Sequence, residues 1–203
     1  GTLELLDSLG DEARGTPEVI RLEARALRSR GDAEAARDFL AQHLEGHPVF
    51  RHGVPPKGWS HCAIALAEAE LRLGNLKNSR DWLDRVQGRE DASVQAARAA
   101  AMTRLCLEEA NFAEAVEHGA TALRLHPIRK HVGAYTEALL AIGDVDLAWE
   151  THVSAFHEAR SRLVKGGQSK KPMQSMMGQI LNDYRLFKNP NRLSLWTDFD
   201  RPG

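Results

Sequence analysis

The apolar and polar positions of the chain form amphipathic runs of helical length, in which apolar residues recur three or four positions apart. In four places a Gly or Ala followed by Asp or Asn separates two runs. Glycine readily takes the left-handed conformation that ends a helix, and an Asp or Asn side chain can cap the amides that begin the next one. The pattern therefore predicts pairs of helices joined by short turns at Gly31-Asp32, Gly74-Asn75, Ala110-Asn111 and Gly143-Asp144.

The helix boundaries follow from these turns and from residues that start or stop a helix. Thr16, Pro17 and Glu18 supply a cap, a proline in the first turn and an early acidic residue, so the first helix is expected to begin at residue 17. Ala110 disfavours a positive φ, which predicts a tighter turn there than at the glycines. We predict helices over residues 17–30, 33–46, 59–73, 76–87, 92–109, 112–125, 128–142 and 145–164, and a ninth from Pro172 to about Phe187.

The turns recur with the spacing of a structural repeat. They lie 43, 36 and 33 residues apart, and the longer first interval contains the loop at residues 49–58, whose prolines and glycines exclude a helix. A small residue stands five positions after the start of each turn, at Ala36, Ser79, Ala115 and Ala148. From residue 17 to about 160 this pattern resembles divergent tetratricopeptide repeats, in which a small residue lies where the two helices of a hairpin cross. The resemblance implies a right-handed α-solenoid of about four helix-turn-helix repeats.

The fold prediction is therefore an all-α protein with two segments. Residues 1–165 are expected to form the repeat domain, and residues 166–203 a capping helix followed by a basic extension. The capping role follows from Met173, Met176 and Ile180, which lie three or four apart on an apolar stripe. The positions expected to be buried in the repeats are Leu27, Ala36, Leu40, Leu66, Leu83, Leu105, Ala115, Leu139 and Ala148.

The amino-acid composition is typical of a helical protein. Together with the cysteine content, it also indicates in which cell compartment the protein is expected. Hydrophobic residues make up 42% of the chain, mainly as Ala and Leu, which are strong helix formers. A formal net charge of −1 predicts no general attraction to nucleic acid or anionic lipid. These residues contain no apolar run of membrane-spanning length and no apolar segment typical of a signal peptide. We expect Cys62 and Cys106 to be buried, reduced thiols. The prediction is a cytoplasmic protein without a membrane partner.

Charged residues on the first helix of each predicted pair carry the candidate binding site. Arg21, Arg25 and Arg28 lie on one stripe with Glu18, and the resemblance implies that this stripe faces the concave groove of a solenoid. The corresponding positions of later repeats are His61, Glu68, Arg72, Arg104, Lys130 and Glu137. Arginine offers a planar two-donor fork to carboxylates and phosphates. We therefore expect an acidic or phosphorylated segment of another protein to bind at Arg21, Arg25, Arg28, His61, Arg72, Arg104 and Lys130. The alternative is a solvated face, partly paired internally by Glu18, Glu23 and Glu68.

The sequence contains no pattern typical of catalysis, of a cofactor or of a metal site. HExxH, GxSxG, P-loop and GxGxxG motifs are absent. His43 and His47 are four apart, but the Gly and Pro beside His47 place it at a fraying helix end. His152 and His157 are five apart and so lie on different helix faces, and no Cys partner or convergent carboxylate accompanies either pair. Few aromatic residues accompany the basic residues of the C-terminal part, which argues against a nucleic-acid partner. We therefore predict a non-catalytic protein without cofactor or metal.

Two functions remain open from the sequence. The first is a protein-interaction scaffold or adaptor that binds a peptide or partner helix in its concave groove. Residues 125–163 also resemble the helical domain of bacterial transcriptional activators, in which a separate domain reads DNA. Because the chain opens with Gly1-Thr2 rather than Met, we expect it to be part of a longer protein. The alternative is thus a sensing or dimerisation domain of a larger regulator, kinase or transferase whose effector domain lies outside these residues.

Overall fold

The computed structural model describes residues 15–45, 55, 58–86 and 91–165 of the chain. These residues form helices and turns and contain no strand, which confirms the all-α prediction for this part of the protein. The predicted ninth helix, its capping role and most of the loop at residues 49–58 lie outside the described residues. The helices are α1 (Pro17–Ser29), α2 (Ala33–Glu45), α3 (Ser60–Arg72), α4 (Leu76–Arg85), α5 (Ala92–Glu108), α6 (Phe112–Leu125), α7 (Arg129–Ala141) and α8 (Val145–Lys165).

The predicted turns are present, and all four are built in the same way. Gly31, Gly74 and Gly143 have φ values of 85°, 78° and 81°, and Ala110 joins them with a φ of 58°. In each turn the amide of the following Asp or Asn donates to a carbonyl five residues earlier, as from Asn111 to Cys106 at 2.8 Å. This hydrogen bond requires a left-handed residue before the donor. The predicted tighter turn at Ala110 is therefore wrong.

The capping prediction is confirmed for the two aspartates and wrong for the two asparagines. Asp32 Oδ1 accepts from the Ala35 amide at 2.9 Å, and Asp144 Oδ1 accepts from the Leu147 amide at 3.2 Å. Asn75 and Asn111 make no side-chain cap. Each donates its Nδ2 instead to a nearby carboxylate, Glu70 for Asn75 and Glu114 for Asn111. An amide can donate where a carboxylate cannot, which explains the difference.

Ala110 provides a stability prediction, because an L-residue with a side chain is strained at positive φ. We expect Ala110→Gly to raise the free energy of unfolding by about 0.5–1 kcal/mol, the relief of strain exceeding the entropy that glycine adds to the unfolded chain. Gly143→Ala is the matched control: no atom lies within 4 Å of its added Cβ, so it tests the conformation alone and should lower stability. Urea unfolding measures both variants, and a less stable Ala110→Gly protein would contradict the prediction.

The helices pack in an order that places the first members of successive pairs together. Each turn joins two helices in contact: α1 with α2, α3 with α4, α5 with α6 and α7 with α8. In addition, α1 contacts α3, α3 contacts α5, and α5 contacts α7. No helix of the described residues combines the length and apolar character that a bilayer crossing requires.

The core lies between these helices and is built largely from alanine and leucine. Of the positions predicted to be buried, Leu27 is only partly buried, because α1 ends two residues later at Ser29. The remaining predictions are confirmed: Ala36, Leu40, Leu66, Leu83, Leu105, Ala115, Leu139 and Ala148 are fully or almost fully buried. Cys62 and Cys106 are free and buried, as predicted.

Candidate functional site

Helix α3 carries the buried carboxylate around which a cluster of charged side chains forms. It contacts α1, α2, α4 and α5, and nearly all of its residues from Ser60 to Glu70 are buried. Alanines on several of its sides allow these neighbours to approach closely. Two carboxylates, Glu68 and Glu70, are carried into the interior on this helix, with only 7% of each residue exposed. A buried carboxylate needs partners, and the two glutamates find different ones.

Glu68 receives three cations from three other helices. Arg28 Nη1, near the end of α1, donates to Glu68 Oε2 at 2.7 Å. Lys130 Nζ, at the beginning of α7, donates to Oε1 at 2.5 Å. Arg104 Nη1 of α5 lies 3.8 Å from the same oxygen. One carboxylate on α3 thus gathers side chains from α1, α5 and α7, the first helices of the other three pairs.

The charges around Glu68 decide its ionisation. Burial by itself raises the pKa of this carboxyl group, but Lys130, Arg28 and Arg104 together outweigh burial and hold the pKa well below its usual range. Glu137 of α7 shows the opposite balance: burial raises its pKa, and the nearby Arg104 only partly opposes the rise. Glu68 is therefore the firmly ionised partner of the three cations.

The structure unites three of the predicted site residues, Arg28, Arg104 and Lys130, at Glu68. Arg21 and Arg25 are exposed on the same stripe of α1, two turns and one turn before Arg28 respectively. The stripe lies on α1 beside the contact between α1 and α3. Near the beginning of both helices Cys62 Sγ donates to Pro17 O at 3.2 Å. Burial raises the pKa of the Cys62 thiol to about 11, and the charge of Arg21 opposes the rise.

His61 and Arg72, the remaining predicted residues, lie on α3 itself. His61 stands at the beginning of the helix and is partly buried, whereas Arg72 is its last residue and is exposed. Arg72 is four residues after Glu68, so it lies on the same side of α3 one turn further on. The surface formed by Arg21, Arg25, Arg28, Glu68, Arg72, Arg104 and Lys130 is called the basic face below.

The cations of the basic face differ in their exposure to solvent and in the hydrogen bonds and ion pairs that they make. The Arg28 side chain is 17% exposed, and its Nε is buried without a hydrogen-bond partner in the described structure. The Arg104 and Lys130 side chains are 32% and 42% exposed, so water reaches both while they contact Glu68. Arg25 makes no hydrogen bond or ion pair with the described residues. The basic face therefore keeps donors that the described part of the protein does not use.

A second cluster of polar side chains lies between α5 and α6, where sequence reasoning did not anticipate one. Cys106 of α5 lies next to Glu114 and His118 of α6, and one ligand atom of each residue falls within 4.8 Å of the others. Burial raises the pKa of the Cys106 thiol to about 11; Glu114 adds to the rise and Arg80 opposes it. The signal in the sequence was the Glu114/His118 spacing of four, which puts both side chains on one helix face.

Comparison of the chain with protein-family models, curated proteins and solved structures gives no match. The interpretation of both clusters therefore depends on their own geometry and chemistry.

Proposed function

We propose that the helix pairs form a solenoid of helix-turn-helix repeats, and that the protein binds an acidic or phosphorylated segment of a partner protein on its basic face. The observation that carries the proposal is the convergence of Arg28, Arg104 and Lys130, from three helices, on Glu68 of a fourth helix. Stacked helix pairs bury a continuous core and present their first helices along one extended surface. An elongated peptide can contact several helices on such a surface at once.

The charge balance of the basic face supports an anionic partner. Three cations face Glu68, and Glu137 also lies near Arg104. Even with both carboxylates ionised, three cations meet two anions, so a surplus of positive charge remains after internal pairing. Arg21 and Arg25 extend this surplus along the exposed side of α1. Guanidinium groups bind carboxylate and phosphate oxygens through two parallel hydrogen bonds, which lysine cannot do. Acidic side chains or phosphoryl groups are therefore the groups that match this surface.

The distribution of the charges favours a segment with several anions over a single small ion. The cations extend from α1 to α7, and an exposed ion pair typically contributes only about 0.2–1 kcal/mol. Useful affinity therefore requires several pairs formed together by one chain. An adaptor function follows from this, since the partner is recognised by its charge pattern and an extended shape.

The proposal is tested by measuring binding of fluorescein-labelled short polyglutamate and phosphoserine peptides by fluorescence anisotropy. We expect Arg21→Glu combined with Arg25→Glu to weaken binding at least about tenfold, because two attractive pairs become repulsive. Both residues are exposed, so the fold should persist. Raising the ionic strength to about 1 M, where the Debye length is about 3 Å, should abolish binding to the unaltered protein.

The matched control reverses two exposed charges on second helices, Lys77→Glu on α4 combined with Arg124→Glu on α6. It changes the net charge by the same amount but leaves the basic face intact. Binding retained by the control and lost by the α1 variant supports the proposal. Equal loss in both variants would mean attraction by overall charge, and absence of binding to either peptide at low salt would also overturn it.

A further inference from the structure

We propose that Cys106, Glu114 and His118 form a binding site for a divalent transition-metal ion, with Zn²⁺ as the best match. Thiolate, imidazole and carboxylate are the three side-chain ligands that zinc uses in proteins. The residues belong to two helices joined by the turn at Ala110, so one helix pair supplies the whole set. The site is separate from the basic face and does not depend on the proposed function.

The distances fit the coordination of such an ion. His118 Nε2 lies 3.4 Å from Glu114 Oε1. Two ligand atoms that are each about 2.1 Å from a tetrahedral zinc ion are about 3.4 Å apart, so this pair already has the required separation. The Cys106 sulfur falls within 4.8 Å of one ligand atom of His118 and one of Glu114, close enough for a small side-chain movement to complete the set. On binding, the thiol proton is released to solvent.

A ring nitrogen of His118 without a hydrogen-bond partner among the described residues also favours a bound metal ion. His118 Nε2 is buried and lacks a hydrogen-bond partner among the described residues, although Glu114 Oε1 is nearby. A buried imidazole nitrogen without a partner is costly, and a metal ion would use its lone pair. The other oxygen of Glu114 accepts a hydrogen bond from Asn111 Nδ2 at 2.5 Å, which orients the carboxylate as an outer ligand contact does in metal proteins.

The surroundings leave access for the ion. Its two positive charges would be balanced by the Cys106 thiolate and the Glu114 carboxylate. The side chains of His118 and Glu114 are 26% and 37% exposed, so the site opens to solvent on the α6 side. Arg80, the cation that acts on Cys106, is already paired with Glu109 through two hydrogen bonds. The three ligands leave a fourth tetrahedral position for water.

Titration of the metal-free protein with Co²⁺, which takes the same coordination as zinc, tests the site by absorption spectroscopy. We expect one equivalent of Co²⁺ to produce a near-ultraviolet sulfur-to-cobalt charge-transfer band that one equivalent of Zn²⁺ removes. Cys106→Ala should abolish the band, and His118→Ala should weaken metal binding at least tenfold. Absence of the band in the unaltered protein would overturn the proposal.

Two control variants keep the result specific. Cys62→Ala removes the other buried thiol, and His43→Ala removes an imidazole whose Nδ1 lies 2.8 Å from Phe39 O on α2. Both should retain the band and the affinity of the unaltered protein. A band that persists in Cys106→Ala would contradict the site. If circular dichroism shows that Cys106→Ala is unfolded, His118→Ala and Glu114→Gln decide: affinity unchanged in both would refute the proposal, and loss in both would support it.

Discussion

Replacing Gly119 by leucine is expected to lower the free energy of unfolding by about 3 kcal/mol, because α6 and α7 meet at this glycine without room for a side chain. A Cβ atom at Gly119 would stand 2.9 Å from the Cα of Tyr135 and 2.9 Å from its Cδ2. Backbone cannot move aside as the end of a flexible side chain can. The two helices would have to separate and lose part of their packing. Urea unfolding of the variant measures the loss.

Alanine substitutions at two glycines within helices separate this contact from helix propensity. Gly133 lies in α7, and no atom falls within 4 Å of a Cβ built there. Gly133→Ala should therefore raise stability by about 0.5–1 kcal/mol, the usual gain from replacing glycine in a helix. Gly119→Ala carries the same gain but also the close contact, and we expect it to lower stability. Similar stabilisation by both substitutions would show that α6 and α7 adjust easily.

The helices could be predicted closely from the sequence because local chemistry determines their ends. The left-handed residue and the hydrogen bond after it recur at Gly31, Gly74, Ala110 and Gly143. The bounds of the eight helices accordingly agree with the prediction within about two residues. The turn at Ala110 was mispredicted because the conformational preference of one residue is weaker than the hydrogen bonds and packing of the complete turn.

The charged cluster was predicted only in part, because its pairing depends on contacts between distant residues. Glu68 was expected at a position facing the groove, together with Arg28, Arg104 and Lys130, but the burial of Glu68 and Glu70 was not predicted. Their partners could not be read from spacing. Arg28 and Lys130 are 40 and 62 residues from Glu68, and only the packing of α1, α3 and α7 brings them together.

The metal candidate was missed for a related reason. Glu114 and His118 have a spacing that places them on one face, but a carboxylate and an imidazole four apart are most often an ordinary surface pair. Cys106 becomes their neighbour only after the turn at Ala110 folds α6 back against α5. Search patterns for metal sites require ligands at short fixed spacings, whereas this set is completed by the crossing of two helices.

The second large effect is expected at Glu68, where Glu68→Gln should lower the free energy of unfolding by about 2–4 kcal/mol. Removing one partner of a buried ion pair usually costs about 3–5 kcal/mol, because the remaining charge is left uncompensated. Here Arg104 and Lys130 are partly exposed and can be hydrated, which reduces the loss. Arg28 is the least exposed of the three and carries most of the penalty.

Glu70→Gln is the matched control for this substitution. Glu70 is equally buried on the same helix, but it accepts a hydrogen bond from the neutral Asn75 side chain at 2.7 Å. Glutamine keeps an oxygen that can accept from Asn75. A hydrogen bond to a charged group contributes about 1.5–3 kcal/mol and a neutral one about 0.5–1.5 kcal/mol, so we expect a loss of about 1 kcal/mol. Urea unfolding at neutral pH compares the two variants. Equal losses would mean that burial of the side chain, and not its three cations, determines the contribution of Glu68.

The pH dependence of the Glu68 contribution gives an independent check. The pKa of this group is lower in the folded protein than in the unfolded chain, where a glutamate titrates near about 4.3. As the pH falls, the unfolded state therefore takes up the proton first, which favours unfolding. The contribution of Glu68 should be complete above about pH 5 and decline steadily as the pH falls below about 4.3 toward the folded-state pKa. Glutamine does not titrate, so the difference in unfolding free energy between the unaltered protein and Glu68→Gln isolates this group. A difference that stays constant from pH 7 to pH 3 would contradict the ionised, three-cation arrangement at Glu68.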